Sequence, residues 1–140
     1  MGHAETFEHT ADLGLRAIGR DLSDLFETAA AGLFDVIVAN RADVRDDEKE
    51  SVSLASDSTE DLMLAWLNEL IYRCETRHRF YARFSVEVDE SARNLHATIA
   101  GEPIDLARHV LDHEVKAATR HGLFVQPCDE GWMSEIILDI

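Results

Sequence analysis

The chain has 140 residues, of which 46% are hydrophobic and 29% are charged. This length and composition suffice for one hydrophobic core, so disorder is excluded and a single domain over residues 1–140 is predicted. The 28 acidic and 13 basic side chains give a formal net charge of −15. Phosphate binding needs clustered lysine and arginine, so no direct nucleic-acid footprint is expected. The acidity serves solubility, or it attracts a cation or a basic protein surface.

The remaining composition predicts a soluble cytoplasmic protein without a membrane span. Cys74 and Cys128 are the two cysteines, and their spacing matches neither a metal site nor a redox motif. The N-terminus has no apolar run of the kind found in signal peptides, and the longest apolar stretches are shorter than the roughly 20 residues of a membrane helix. Reduced thiols are therefore expected.

Two helices are predicted from apolar side chains that recur every three or four residues. The first covers residues 21–40, with Asp21 as its candidate N-cap and Asp24 adding negative charge in the first turn. The second covers residues 59–75, with Ser58 as its candidate cap. Each helix presents an apolar face that another layer must cover.

Short, partly alternating segments predict strands. They cover residues 15–18, 52–54, 80–88, 95–99, 115–125 and 133–138. Turns at 91–94 and 127–131 predict that the last four form two antiparallel pairs. Strands on both sides of two helices favour an α+β fold of two layers, with mostly antiparallel sheet packed against the two main helices. Residues 104–114 fit either a short helix after Pro103 or a connector with one helical turn.

Three segments carry candidate chemistry. The first, residues 7–14, brings His9 and Asp12 close to a glycine, and its oxygen ligands suit a hard cation. From the residues alone, the preferred interpretation is that Asp12 caps a turn and His9 is a structural histidine. The second is the apolar C-terminus, where the Asp139 side chain and the α-carboxylate of Ile140 provide two anionic groups. Core packing is the competing interpretation there. The third contains Lys116 in a predicted strand, where an ion pair is expected, either functional or structural.

A zinc site is a weaker hypothesis. His109 and His113 are one helical turn apart, but the glutamate of an HExxH motif is missing, so surface histidines are the preferred interpretation. The sequence also has no glycine-rich phosphate loop and no nucleophile elbow.

Several motifs together resemble the archease family. They lie at residues 7–15, 31–35, 114–117, 121–122 and 138–140, in the family's order and over almost the whole chain. The resemblance implies the archease fold and the role of a partner protein, not of an enzyme. Archeases are cofactors of the RtcB-type RNA ligase, which joins tRNA exon halves and repairs RNA with GTP and a divalent metal. They promote guanylylation of the ligase histidine and so permit multiple turnover.

The same resemblance implies a metal site. Carried over to this sequence, it makes Asp12 and Asp139 carboxylate ligands beside the α-carboxylate of Ile140. The expected ion is Ca²⁺, with Mg²⁺ and Mn²⁺ as alternatives.

The resemblance also implies supporting residues around that ion. It assigns Lys116 and Glu69 to activation of the ligase, and it gives His9 the role of orienting the ligands. Arg120 departs from the family, which often has an aromatic residue at this position.

Two other functions remain open from the residues alone. In a small metal-dependent hydrolase, Asp12 and Asp139 would hold the ion, with His9 or Lys116 as acid or base. The sequence provides no separate nucleophile for that chemistry. In an acidic chaperone-like binder, the negative charge itself would be the function.

Overall fold

Two antiparallel sheets and two α helices make up the part of the chain described by the computed structural model, residues 2–9 and 12–140 excluding the side chain of His9. The elements in chain order are β1 (His3–His9), β2 (Asp12–Gly19), α1 (Leu22–Ile37), a short 3-10 helix (Arg41–Asp43), β3 (Glu48–Ala55), α2 (Thr59–Arg77), β4 (Arg79–Val88), β5 (Asn94–Pro103), β6 (Ala117–Cys128) and β7 (Gly131–Asp139). No helix in this part of the chain is long and apolar enough to cross a membrane.

The sheets have the strand orders β1-β2-β7-β6 and β3-β5-β4. Both helices contact both sheets, and the buried side chains of all these elements form one core. The predicted α+β class, with two main helices packed against antiparallel sheets, is confirmed. Because β2 and β7 are central neighbours, the two ends of the chain meet in the same sheet.

Both helices begin at their predicted caps. The Asp21 carboxylate accepts the backbone N–H of Asp24 at 2.8 Å, and the Ser58 hydroxyl accepts that of Asp61 at 3.1 Å. These bonds satisfy donors that the first turn of a helix leaves without partners. Helix α1 ends at Ile37, three residues before the predicted end, and α2 continues two residues beyond its predicted end.

The two predicted strand pairs are confirmed. Strands β4 and β5 form one antiparallel pair, and β6 and β7 form the other. The sequence did not predict β1, because only Phe7 and Ala4 interrupt an otherwise polar segment. Strand β1 lies at the edge of its sheet, where a polar strand is tolerated since one side faces water.

Residues 104–116 form a connector with one turn, so the short-helix alternative is wrong. The connector packs against the end of α1. There the N–H groups of Asp112 and His113 donate to the carbonyls of Ile37 and Val36 at 3.0 and 2.9 Å. These long-range bonds complete the C-terminal turn of α1, which a helix over the same residues would not do.

A buried carboxylate fixes the connector to β5. Glu102 is 5% exposed and accepts from the Arg45 N–H at 2.7 Å, from His109 Nε2 at 2.9 Å and from Arg108. His109 Nδ1 accepts the Asp105 N–H at 2.9 Å, which assigns the ring proton to Nε2. His109 is therefore a buried structural residue, and the expectation that it lies on the surface is wrong.

A side chain of α2 covers part of the open edge of β6. The Asn68 amide donates to the Ala118 carbonyl at 3.1 Å, and its oxygen accepts the Ala118 N–H at 2.9 Å. Ala118 is buried, and both bonds are of the kind that a neighbouring strand would make. Asn68 thus fixes the start of β6 to α2.

We expect Glu102→Gln to reduce the pH dependence of stability. Burial alone raises the pKa of Glu102, but the Arg45 N–H, His109 and Arg108 outweigh it and lower the pKa to about 2. A lowered pKa stabilises the native state above the unfolded-state value, and this contribution disappears as the pH falls from about 5 to about 2. The free energy of unfolding, measured with urea, should change less with pH in the variant than in the wild type over this range. Glu90→Gln, in an exposed turn, is the control. Equal pH dependence of stability in Glu102→Gln and wild type would contradict the lowered pKa of Glu102.

We expect Asn68→Ala to lower the free energy of unfolding by about 2 kcal/mol, because it removes two hydrogen bonds and leaves backbone groups of a buried residue without partners. Asn68→Asp should cost at least as much at neutral pH, since a carboxylate repels the Ala118 carbonyl. Urea denaturation followed by tryptophan fluorescence measures both. Glu75→Ala, at an exposed position of the same helix, should cost less than about 0.5 kcal/mol. A similar small cost for Asn68→Ala would show that α2 does not hold this edge.

Candidate functional site

The pairing of β2 with β7 brings the two predicted carboxylates to one end of the sheet. The last registered pair at this end is Leu13 with Leu138. One further step along the antiparallel strands sets Asp12 opposite Asp139. Side chains at directly opposed positions have their β-carbons about 5 Å apart and point to the same face.

Strand alternation determines which face that is. Leu15, Ile136 and Leu138 are buried in the core beneath the helices. Because neighbouring residues of a strand point to opposite faces, Asp12 and Asp139 belong to the face turned away from the core. Both side chains are partly exposed.

The start of β6 lies beside the same end. Ala117 pairs with Asp139, and the Lys116 N–H donates to the Asp139 carbonyl at 2.7 Å. Lys116 precedes the strand and its side chain is exposed, so the expectation that it lies within a strand is wrong. We call the end of the sheet formed by Asp12, Lys116, Asp139 and Ile140 the carboxylate edge.

An aromatic ring covers the sheet next to the carboxylate edge. Phe7 pairs with Gly14, and an added β-carbon at Gly14 would lie 2.2 Å from the Phe7 ring. The Arg16 guanidinium lies over the same ring at 5.2 Å and is bound by Glu5 and Glu135, each at 2.7 Å. Gly14 is therefore required by the close approach of this ring.

The electrostatics of the carboxylate edge favour a cation. Two carboxylates at opposed positions of a sheet repel each other, and oxygen ligands of this kind suit a hard divalent ion. Within the described residues, no group of three or more His, Cys, Asp and Glu side chains is arranged to hold a metal. The two carboxylates provide part of the oxygen donor set of such an ion, and water or further oxygen groups would fill the remaining positions. Ile140 directly follows β7 and is 36% exposed, so this residue is not enclosed in the core.

Glu69 makes a different set of contacts. Its carboxylate accepts from Arg73 Nε at 2.7 Å, and Arg73 also bonds Glu50 of β3 at 3.1 Å. Glu69 is thus linked through Arg73 to the three-stranded sheet. The neighbouring Asn68 instead contacts β6 of the other sheet.

Two further expectations concern His9 and Arg120. The backbone of His9 pairs with Asp12, but its side chain lies outside the described part of the structure, so its orienting role stays a prediction. Arg120 forms an ion pair with Asp61 at the N-terminus of α2. It lies where the β6–β7 register shifts, between Thr119 and Phe124.

Sequence reasoning missed Asn68, which anchors the strand that follows Lys116. One signal was available, because asparagine is unfavourable inside helices unless its side chain has a specific hydrogen-bond partner. The sequence could not identify that partner, since Ala118 is 50 residues further along the chain.

Comparisons with known proteins agree with this architecture. The model of the Archease protein family matches residues 5–140. "Protein archease" of Pyrococcus abyssi is 34% identical, covering 100% of both chains. "Protein archease" of Methanosarcina acetivorans is 32% identical, covering 97% of this chain and 94% of the relative.

Two solved structures share the fold. The solution structure of Methanobacterium thermoautotrophicum protein 1598 has a TM-score of 0.82 and 34% identity, covering 98% of both chains. The crystal structure of a Thermotoga maritima archease, described as a possible chaperone, has a TM-score of 0.64 and 19% identity, covering 97% of this chain and 96% of that one. The second likeness concerns the fold alone. The family match and these full-length relatives together show that the chain belongs to the archease family.

Proposed function

We propose that this protein is an accessory factor that activates an RtcB-type RNA ligase and that the carboxylate edge is its working surface. The observation that carries the proposal is the β2–β7 register, which sets Asp12 opposite Asp139 beside Lys116. These are residues that the archease resemblance assigns to metal binding and activation. The protein would promote transfer of GMP to the ligase histidine and thereby permit repeated turnover.

The proposed ion ligands are Asp12, Asp139 and the α-carboxylate of Ile140. A divalent ion, Ca²⁺ in the first instance, would supply positive charge that attracts phosphate oxygens. The carboxylates would hold that charge at the end of the sheet, next to the Phe7 ring that covers Gly14. Strand pairing holds both aspartates in place before a partner arrives, which lowers the entropy cost of forming the complex.

Lys116 has a different proposed role, because an ammonium donates hydrogen bonds and cannot ligate a cation. Its backbone N–H is fixed to Asp139 while its side chain is exposed. The side chain can therefore extend from a fixed point toward a phosphate or a carboxylate on the partner.

A reconstituted ligation assay tests the proposal. Three reactions contain limiting ligase alone, this protein alone, or both together. Each also contains GTP, Mn²⁺ and an RNA substrate that has a 3′-phosphate end. We expect product beyond one turnover only in the mixture. Ligated RNA from this protein alone would show that it is itself a ligase, whereas cleaved or dephosphorylated RNA would support the hydrolase alternative. Equal product with and without this protein would contradict the accessory role, and protection of the ligase from aggregation without faster guanylylation would support the chaperone-like alternative.

Matched variants assign the effect to the carboxylate edge. Asp12→Asn and Asp139→Asn keep side-chain shape, and each should reduce multiple turnover at least tenfold, whereas Asp129→Asn in the distant β6–β7 turn should not. Lys116→Met should reduce ligase guanylylation while Ca²⁺ still raises the melting temperature. Lys49→Met replaces the other lysine of the chain and should behave as wild type. Normal guanylylation with folded Lys116→Met would remove Lys116 from the mechanism.

A further inference from the structure

An apolar groove lies between the connector and the end of α2. It has a volume of about 450 Å³ and lies between the end of α2, the start of β4 and residues 104–115. Ile71, Cys74 and Val115 are buried along its floor. Leu106 and Leu111 form its lips and are 67% and 58% exposed. We call this feature the connector groove.

Two strongly exposed leucines lie at this groove. The large apolar side chains that are exposed in the described part of the chain are Tyr72, Leu106, Val110, Leu111 and Ile140. Of these, Leu106 and Leu111 line the groove. Apolar residues grouped in this way on a highly charged protein mark an interaction surface more often than scattered ones do.

The charges around the groove have one sign. Glu75, Asp112 and Glu114 line it with exposed carboxylates, and no lysine or arginine does so among the described residues. The remaining titratable groups that line the groove are the imidazoles of His78 and His113 and the thiol of Cys74. Burial raises the pKa of Cys74 to about 12, with Glu75 adding to the rise, so the thiol is neutral and the floor is uncharged.

We propose that the connector groove is a docking site for an amphipathic, basic segment of a partner protein, with apolar side chains on the floor and lysine or arginine against the acidic rim. The volume lies within the roughly 300–1,000 Å³ that is typical of ligand pockets. An amphipathic helix presents such anchors at i, i+3 or i+4 and i+7. This inference does not depend on the proposed ligase function.

Charge complementarity selects this occupant over a second copy of the chain. In a two-fold dimer through the groove, Glu75, Asp112 and Glu114 of one protomer would meet the same carboxylates of the other. That repulsion would be added to the repulsion between two chains of net charge −15. A basic segment meets the rim with opposite charge and is also attracted from a distance.

Binding of synthetic peptides tests the proposal. The probe is a fluorescein-labelled 16-residue peptide of leucine, lysine and alanine, with leucine at i, i+3, i+4 and i+7 of a helix. One control has glutamate in place of lysine, and the other keeps the composition but scatters the leucines. By fluorescence anisotropy, we expect the amphipathic basic peptide to bind at least tenfold more tightly than either control, with affinity falling as NaCl is added.

Variants of the chain locate the binding. Leu106→Ser combined with Leu111→Ser should weaken binding of the basic peptide at least tenfold, and circular dichroism should show an unchanged fold because both side chains are exposed. Glu75→Gln combined with Glu114→Gln should weaken binding about threefold or more and flatten its salt dependence. Glu90→Gln combined with Glu130→Gln removes the same charge from two distant turns and should leave binding unchanged.

Three outcomes would overturn the proposal. Equal binding of the amphipathic and scattered basic peptides would indicate attraction to the acidic surface in general. Wild-type binding by the folded leucine variant would move the site elsewhere. Sedimentation velocity that detects a dimer, abolished by Leu111→Ser, would identify a second copy of the chain as the occupant.

Discussion

The register between β2 and β7 is the constraint on which the rest of the structure depends. It sets Leu15 opposite Ile136 in the core and, by the same alternation, Arg16 opposite Glu135 on the outer face. A shift of one residue would expose the apolar set and bury the charged one, so the hydrophobic pattern excludes such a shift. That register also determines where Asp12 and Asp139 lie. Packing of the core thus holds the two carboxylates at opposed positions despite their mutual repulsion.

The parts of the fold that the sequence predicted depend on local signals. Both N-caps, the α2 start and the two strand pairs follow from residues close together in the chain. Part of the carboxylate edge could be predicted from the sequence for the same reason, since Asp12 and Asp139 each lie at the end of a strand. The sequence does not contain the register that opposes them, so the resemblance to a family, and not spacing, grouped them. Their roles in metal binding stay a proposal.

The incorrect expectations have a common cause in partners distant in sequence. The apolar pattern of residues 104–114 resembles a helix, but their backbone groups bond to the end of α1. The Lys116 backbone is bonded to Asp139, which fixes this residue before β6 starts. His109 is buried because Glu102, Asp105 and Phe80 surround its ring. Strand β1 was missed because an edge strand needs few apolar residues.

Calcium titration calorimetry of a double-mutant cycle tests most directly whether the register creates one shared cation site. The cycle compares wild type, Asp12→Asn, Asp139→Asn and the double variant, with Asp129→Asn as a control for loss of charge. If both carboxylates hold the same ion, the wild type binds one Ca²⁺ at the carboxylate edge. Each single change then weakens binding at least tenfold, and the double change departs from the product of the single effects. Wild-type affinity in both single variants, or two independent losses that multiply, would contradict a shared site at the carboxylate edge.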